Sequence, residues 1–290
     1  MSYLLFKKPG IFTSIQDNGR PGLSFYGISK GGYMDPNSAD LANKLVGNKK
    51  GSPVIECSYT APTIEFGKNF IIALSGADMN WTIDKNPIPR YTSLYVRKGS
   101  ILSGSSGHQG IRAYIAIQGS MDLPKVYNSY SHYSRCDING ENGLILKKGD
   151  KLPIKKGKSK WQFRFVSDEE RPPLSKKKII PIHRGPEWHL LNQHSKESMM
   201  KAHWSISTNS DRMGANLTGH TISFRNEINM DSVPVFPGII QAPIDGSPIV
   251  VLQDGQTAGG YPRIAFIPQE SLGLFNQIRP QEAFSFYLVL

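Results

Sequence analysis

The sequence predicts a mostly β protein made of two β-barrel units of unequal length, with a few short helices. Three observations carry that expectation. Short apolar runs recur at close spacing, with turn formers between them. The 290 residues include 28 Gly and 20 Pro, enough to punctuate many tight turns. Several runs alternate apolar and polar residues with period two, as half-buried strands do.

The strands come first in chain order. Residues 62–66, 69–75 and 79–83 are short runs rich in Ile, Phe and Leu, separated by Gly, Asn or Asp. "RAYIAIQG" (112–119) alternates around Tyr114. "KWQFRFVS" (160–167) places Trp161, Phe163 and Phe165 on one face and reads as a half-buried strand. "FSFYLVL" reads as a last strand at the C-terminus.

The best-marked helix is 36–46. Asp35 is placed to cap it, because its carboxylate can accept the free amide hydrogens of the first turn. Pro36 occupies the first helical position, where a missing N–H costs nothing. Leu41, Ala42, Leu45 and Val46 form the apolar stripe, and Gly47-Asn48 supplies a left-handed stop. A second helix is expected at about 270–278, between Pro268 and Pro280, and a third near 187–202. The stretch "SDEERPPLSKKK" (167–178) is charged, carries a Pro pair and has few apolar side chains. It divides the chain into a first domain, 1–168, a linker, 169–177, and a second domain, 178–290.

The net charge of +11 comes from 34 Lys and Arg against 23 Asp and Glu. The lysines are scattered over turns, with no basic helix and no interleaved aromatic motif, which argues against nucleic-acid binding. No apolar run is long enough to span a bilayer. The N-terminal "MSYLLFKKPG" lacks the basic-then-apolar order of a signal peptide. Both features lead to the expectation of a cytoplasmic protein. Cys57 and Cys136 lie far apart, and neither spacing nor context suggests a disulfide framework. Both read as small buried residues.

Two Gly-rich stretches could carry chemistry. "SIQDNGRPG" (14–22) puts Gln16, Asp17 and Arg20 among turn formers, where they can face a ligand or satisfy the turn's own backbone. "VVLQDGQTAGGYPRIAFI" (250–267) sets Asp254, Thr257, Gly259, Gly260 and Tyr261 between apolar strands. Its Gly pair lets a backbone approach a ligand, or it serves a long hairpin loop. Arg212, beside Asp211, is a fork for a carboxylate or phosphate, or half of an internal ion pair. Gln241 and Asp245 sit on Pro- and Gly-rich turns. His183, His189 and His194 lie near Glu187 but lack the i, i+4 spacing of a helical metal site, and His132 stands alone, so no metal site is expected.

These motifs, taken in order, resemble one family. The stretch "SIQDNGRPGLSFYGISKGGYMDPNSADLANKLVGN" is similar to its N-terminal signature. "ECSYTAPTIEF", "ALSGAD", "SDRMG" and "GIIQAPIDGSPIVVLQDGQTAGGYPRIA" resemble its later ones. It is the biotin-dependent carboxyltransferase-like family, also called allophanate hydrolase subunit 2-like. The resemblance runs over nearly the whole chain and implies two cyclophilin-like β-barrel domains. It points to the stand-alone C-type subunit of bacterial 5-oxoprolinase. Such a protein acts with ATP, with magnesium in the complex, beside a sensor-kinase-inhibitor-like B-type subunit of the 5-oxoprolinase and its A-type subunit. Two other roles stay open: a non-catalytic antagonist of a sensor-kinase inhibitor, and a carboxyltransferase using biotin carried by another chain. The 290 residues include no biotin carboxylase and no biotin-carrier segment, and fit the stand-alone form.

Under that resemblance Arg20 and Arg212 suit a substrate carboxylate or phosphoryl oxygen. Asp17 or Asp254 orients water or a metal. Gln16, Asp35, Gln241, Thr257, Gly259, Gly260 and Tyr261 line the substrate. The two Gly-rich segments, near opposite ends of the chain, are expected to share a cleft. The chain departs from the family pattern at Gln118-Gly119-Ser120, at "YNSYSHYSR" (127–135) and at Pro280-Gln281-Glu282.

Overall fold

The computed structural model describes residues 2–133, 145–157, 161–174 and 178–289. The mostly β class is borne out. The chain divides into two compact units. The first comprises Met1–Arg20 and Gly31–Ser175, the second Pro21–Lys30 and Lys176–Leu290. Residues 21–30, which the sequence reading put within 1–168, thus fold with the second unit.

The first unit begins with β1 (Tyr3–Lys8), β2 (Phe12–Gln16) and α1 (Pro36–Val46). Then come β3 (Val54–Ser58), β4 (Thr63–Phe66), β5 (Phe70–Gly76), β6 (Thr82–Ile83) and β7 (Asn86–Pro87). It continues with β8 (Ser93–Val96), β9 (Ile101–Ser103), β10 (Arg112–Ile117), β11 (Gly119–Met121) and β12 (Lys151–Lys156). One sheet runs β11-β12-β1-β4-β9-β6-β7, the other β2-β3-β10-β5-β8. Leu4, Phe6, Ile64, Phe66 and Leu102 of the first sheet meet Ile55, Ile72, Leu74 and Ile115 of the second in one core. The pleat sends alternate residues to the other face of the five-stranded sheet. There Val54, Ala73, Tyr114 and Ala116 receive Ala39, Ala42, Leu45 and Val46 of α1.

Helix α1 forms where its sequence signals place it. Ser38 N donates to Asp35 Oδ1 at 3.1 Å. Pro36 opens the first turn, and Gly47 stops the helix at φ 75°. The run at 79–83 shrinks to β6. The 160–167 segment departs more. From residue 161 its ladder contact is a bridge of Phe165 to Thr92, beside β8. Trp161, Phe163 and Phe165 are exposed, and Val166 is the residue that enters the core. Period two was present, but the aromatic face looks outward.

The second unit contains β13 (Ile179–Arg184), α2 (Gln193–Lys201), β14 (His203–Ile206), β15 (Gly214–Thr218) and β16 (Val233–Pro234). After these come β17 (Ile239–Gln241), β18 (Ile249–Val251), β19 (Ala258–Gly259), β20 (Arg263–Phe266), α3 (Gln269–Phe275) and β21 (Phe284–Leu288). Seven strands close a barrel in the order β13-β20-β17-β18-β15-β14-β21. Closure comes from the parallel pairing of β13 with β21, Ile179 opposite Ser285 through Ile182 opposite Leu288. Helix α3 is shorter than the expected 270–278 and buries Leu272 and Phe275, with Phe275 edge-on to Phe284. The expected helix near 187–202 is a 3₁₀ turn at Trp188–Leu190 followed by α2, capped by Asn192. Among the described residues, no helix is long and apolar enough to cross a membrane.

Candidate functional site

In the first unit the sequence-predicted residues gather just past β2. Asp17 is buried, and its carboxylate accepts four hydrogen bonds. Gly19 N donates at 2.8 Å, Ser129 Oγ at 2.6 Å, Tyr130 N at 2.7 Å and Ser131 Oγ at 2.6 Å. Its own N–H donates to Ser131 Oγ at 2.9 Å, and its carbonyl accepts from Tyr33 N at 3.0 Å. A carboxylate so surrounded orders two loops. Gly32 closes the arrangement: at φ 92°, a Cβ there would lie 2.9 Å from Asp17 O and Gly19 N.

Three residues on, Arg20 is 1% exposed. Its guanidinium donates to the Ser131 carbonyl and lies 5.8 Å from the centre of the Tyr133 ring. Gln16 Nε2 donates to Ser14 Oγ at 3.0 Å and to the His132 carbonyl at 3.4 Å. Gln16 Oε1 is buried and accepts no hydrogen bond among the described residues. Such an acceptor is costly to hold dry and marks a place for a donor. Asp35 is occupied in the helix cap with both carboxylate oxygens, and its N–H donates to Tyr114 Oη at 2.7 Å. Burial, then the negative charges of Glu56 and Asp35, push the Tyr114 hydroxyl pKa well up, so it stays neutral.

The sequence reading missed Ser129, Ser131 and Glu56, and it took His132 as isolated. Ser129 and Ser131 sit two apart in "YNSYSHYSR", which registered only as a departure from the family pattern. Glu56 lies on β3, fully buried, and accepts Met34 N at 2.9 Å. A single buried Glu in the strand "VIECS" was the available signal.

The second unit holds a different group. Arg212 grips Asp254 in a bidentate pair, Nε to Oδ2 at 2.9 Å and Nη2 to Oδ1 at 3.1 Å. Both side chains are buried. Its partner is therefore Asp254 and not the adjacent Asp211, which accepts Met213 N at 2.6 Å and Gly214 N at 3.2 Å in a turn. Asp245 serves a turn in the same way, toward Ser247 N.

Gln241 is also buried. It accepts from Gln256 Nε2 at 3.0 Å and donates to the Tyr261 carbonyl at 3.3 Å. Gly259 lies close beside it: a Cβ there would come within 3.0 Å of Gln241 Nε2. The 254–261 loop is thus partly a ribbon: β19 pairs with β16, and Thr257 O accepts Val235 N at 3.0 Å. Gly260 and Tyr261 are exposed. Ser29, from the segment 21–30, donates to the Gly255 carbonyl, so that segment is tied to the second Gly-rich stretch.

Sequence reasoning also missed Glu187 with Arg263. Arg263 donates from Nε at 3.0 Å, from Nη2 at 3.0 Å and from its backbone N at 2.9 Å. Burial opposes the Glu187 charge, but these bonds outweigh it and hold the carboxyl pKa below its usual range. Among the described residues, no three His, Cys, Asp or Glu side chains gather as a metal would require.

Comparison with known proteins follows the same outline. The model of a family described as carboxyltransferase domain, subdomain A and B, matches residues 26–288. A protein from Escherichia coli, named as the C-type subunit of 5-oxoprolinase, is 34% identical over 272 residues, 93% of this chain and 86% of its own. One of the same name from Haemophilus influenzae is 32% identical, covering 92% of this chain and 85% of its own. The crystal structure of the K. lactis urea amidolyase superposes with a TM-score of 0.93 at 27% identity. That likeness covers 99% of this chain but only 19% of the amidolyase, which is far longer.

Proposed function

Because the chain belongs to the family of carboxyltransferase domains with subdomains A and B, we propose that it is the C-type subunit of an ATP-dependent 5-oxoprolinase, which opens 5-oxo-L-proline to L-glutamate. The reading draws on relatives of that name that match most of both chains. The observation that carries it is the Arg20 loop: a buried guanidinium on a turn pinned by four hydrogen bonds to Asp17. A cation preorganised in that way is suited to an anion that forms or binds nearby.

A lactam carbonyl is a poor electrophile, and ATP would supply the phosphoryl group that makes its oxygen a leaving group. The residues of this chain would bind and orient. Arg20 would face the substrate carboxylate or the phosphorylated oxygen, and Gln16 Oε1 would accept the lactam N–H. Arg212, fixed by Asp254, would present its charge without moving. Asp17 would act by position. The carboxylates of Asp17 and Asp254 are engaged by donors and do not fit magnesium, so a metal in the complex would be held by the nucleotide and by the other proteins of the assembly. Gln241, Thr257, Gly259, Gly260 and Tyr261 would form a substrate-facing loop, next to the Ser29 segment. The partners would be the sensor-kinase-inhibitor-like B-type subunit of the 5-oxoprolinase and its A-type subunit, in the cytoplasm.

The likeness to a part of urea amidolyase favours a second reading, in which the chain transfers a carboxyl group from biotin carried elsewhere. One assay separates the two. The chain is mixed with its co-purified partner proteins, ATP and 5-oxoproline, and glutamate and ADP are measured. Arg20→Ala should abolish both products while leaving the circular dichroism unchanged. Full turnover in that variant would remove Arg20 from the account, and a requirement for bicarbonate and biotin would support the second reading.

A further inference from the structure

The five-stranded sheet of the first unit does not end at β8. Residues 161–166 run antiparallel beside that strand and form the outermost edge. Ser93 N donates to the Arg164 carbonyl at 2.8 Å, Val166 N donates to the Tyr91 carbonyl at 3.0 Å, and Phe165 stands opposite Thr92. These bonds use the even-numbered residues of the strip, so the N–H and C=O groups of Phe163 and Phe165 point away from the sheet. Among the described residues those groups have no hydrogen-bond partner. An edge in that condition is a template for another strand.

The side chains favour the same event. Phe163 is 63% exposed and Phe165 66%, with ring centres 6.2 Å apart. At the start of the strip Trp161 and Tyr95 are about half exposed, with ring centres 6.3 Å apart. A charge on the edge is a common guard against pairing. Arg164 does not guard this aromatic face, because alternation turns it to the other one. There its Nη2 donates to Gln162 Oε1 at 3.3 Å, and a Cβ at Gly47, just past α1, would lie 2.5 Å from its Nη1.

The charges at the two ends have an order. The antiparallel register sets the Trp161 end beside the end of β8, where Arg97 and Lys98 follow, both exposed. The Phe165 end runs on to Asp168, Glu169 and Glu170, also exposed. Asp168 pairs with Arg171 at 2.5 Å and Glu170 with Lys44 at 2.7 Å. Glu169, Arg97 and Lys98 form no ion pair among the described residues. An edge that is basic at one end, aromatic in the middle and acidic at the other complements itself when turned end for end. A two-fold axis makes that turn and closes the contact, leaving no edge for a third chain.

We propose that residues 161–166 are a self-association surface, on which a second copy of this chain adds its own strip as an antiparallel strand. The dimer continues the five-stranded sheet across the axis and covers Phe163 and Phe165 of both copies. The inference does not rest on the oxoprolinase reading, and either can fail without the other.

Sedimentation equilibrium of the full chain should show monomer and dimer, with no larger species, at concentrations up to ~100 µM. Hydrogen exchange on the same samples needs no variant. The amides of Phe163 and Phe165 should be protected at high concentration and open on dilution. Phe163→Lys and Phe165→Lys, both at exposed positions, should each weaken the dimer by at least ~10-fold, because the axis counts every loss twice. Circular dichroism melts at low concentration should be unchanged. Arg97→Glu with Lys98→Glu should weaken it by ~5-fold, and adding Glu169→Lys should restore it. A chain that stays monomeric to ~100 µM would overturn the proposal. So would a dimer indifferent to both lysine substitutions, or amides at Phe163 and Phe165 that exchange alike at every concentration. Assemblies that keep growing with concentration, or a charge exchange that restores nothing, would overturn the two-fold arrangement.

Discussion

Replacing Asp17 with Asn changes one atom in a site where four donors converge. Oδ1 takes Gly19 N, Ser129 Oγ and Ser131 Oγ, and Oδ2 takes Tyr130 N. The amide oxygen can keep the first three by lying at the Oδ1 position. The new NH₂ then faces the N–H of Tyr130, which cannot turn away as a serine hydroxyl can. The loss is one charge-assisted bond and one stranded backbone donor, about 2–3 kcal/mol. Asp17→Ala strands both backbone donors and the two hydroxyls, and should cost more, about 4 kcal/mol, at the upper end for single substitutions. Denaturant unfolding followed by circular dichroism gives the difference. Amide exchange at Gly19 and Tyr130 locates it, with the Tyr130 N–H losing at least ~10-fold of its protection in Asp17→Asn. A variant within ~0.5 kcal/mol of wild type, the range of an ordinary surface change, would refute the claim that Asp17 organises the Arg20 loop.

Other expectations follow from single contacts. Glu187→Gln removes the charge from a paired, largely buried carboxylate and should cost ~1–2 kcal/mol. Because the folded pKa of Glu187 is lowered, that contribution is present above its unfolded value of about 4.3 and fades as the pH falls through the folded value. An acid titration of stability should therefore show a smaller loss in the variant, and parallel curves would contradict it. Gly185→Ala would set a Cβ 2.0 Å from the Arg263 carbonyl, a backbone atom that cannot swing aside. It should destabilise by ~3 kcal/mol or more in thermal melts. Cys57 is fully buried, and burial pushes its thiol pKa far up. Peptide mapping after labelling should find Cys57 unmodified in the native protein and modified after denaturation.

What could be read from the sequence was what is local. Helix α1 was legible because its cap, its proline, its stripe and its stop lie within a short span of chain. The period of Trp161, Phe163 and Phe165 was legible too, yet not which way it faced, because alternation alone does not say which side is wet. Cys136 and part of the expected linker lie outside the described residues. Ion pairs were the least legible. Arg212 has an aspartate as its neighbour, but it bonds to Asp254, 42 residues away. Glu187 and Arg263 are 76 apart, and Asp17 and Ser131 are 114 apart. Nothing in residue type or spacing names such partners, since the strand order brings them together. Gln16, Asp17 and Arg20 were singled out as a group and do lie together at the end of β2, but the serines that hold Asp17 were not singled out.

The Ser29–Gly255 bond joins positions 226 residues apart in one folding unit. During synthesis the N-terminal partner emerges first. At ~5–20 residues per second it waits some tens of seconds before its counterpart exists. Through that interval residues 21–30 have no home, with Phe25 and Tyr26 bare even in the finished protein. Expression of 176–290 alone would meet the converse difficulty: a barrel whose loop lacks a strip encoded at the far end of the message. Supplying a peptide of residues 21–30 in trans is the direct way to ask how much of that half's solubility depends on it.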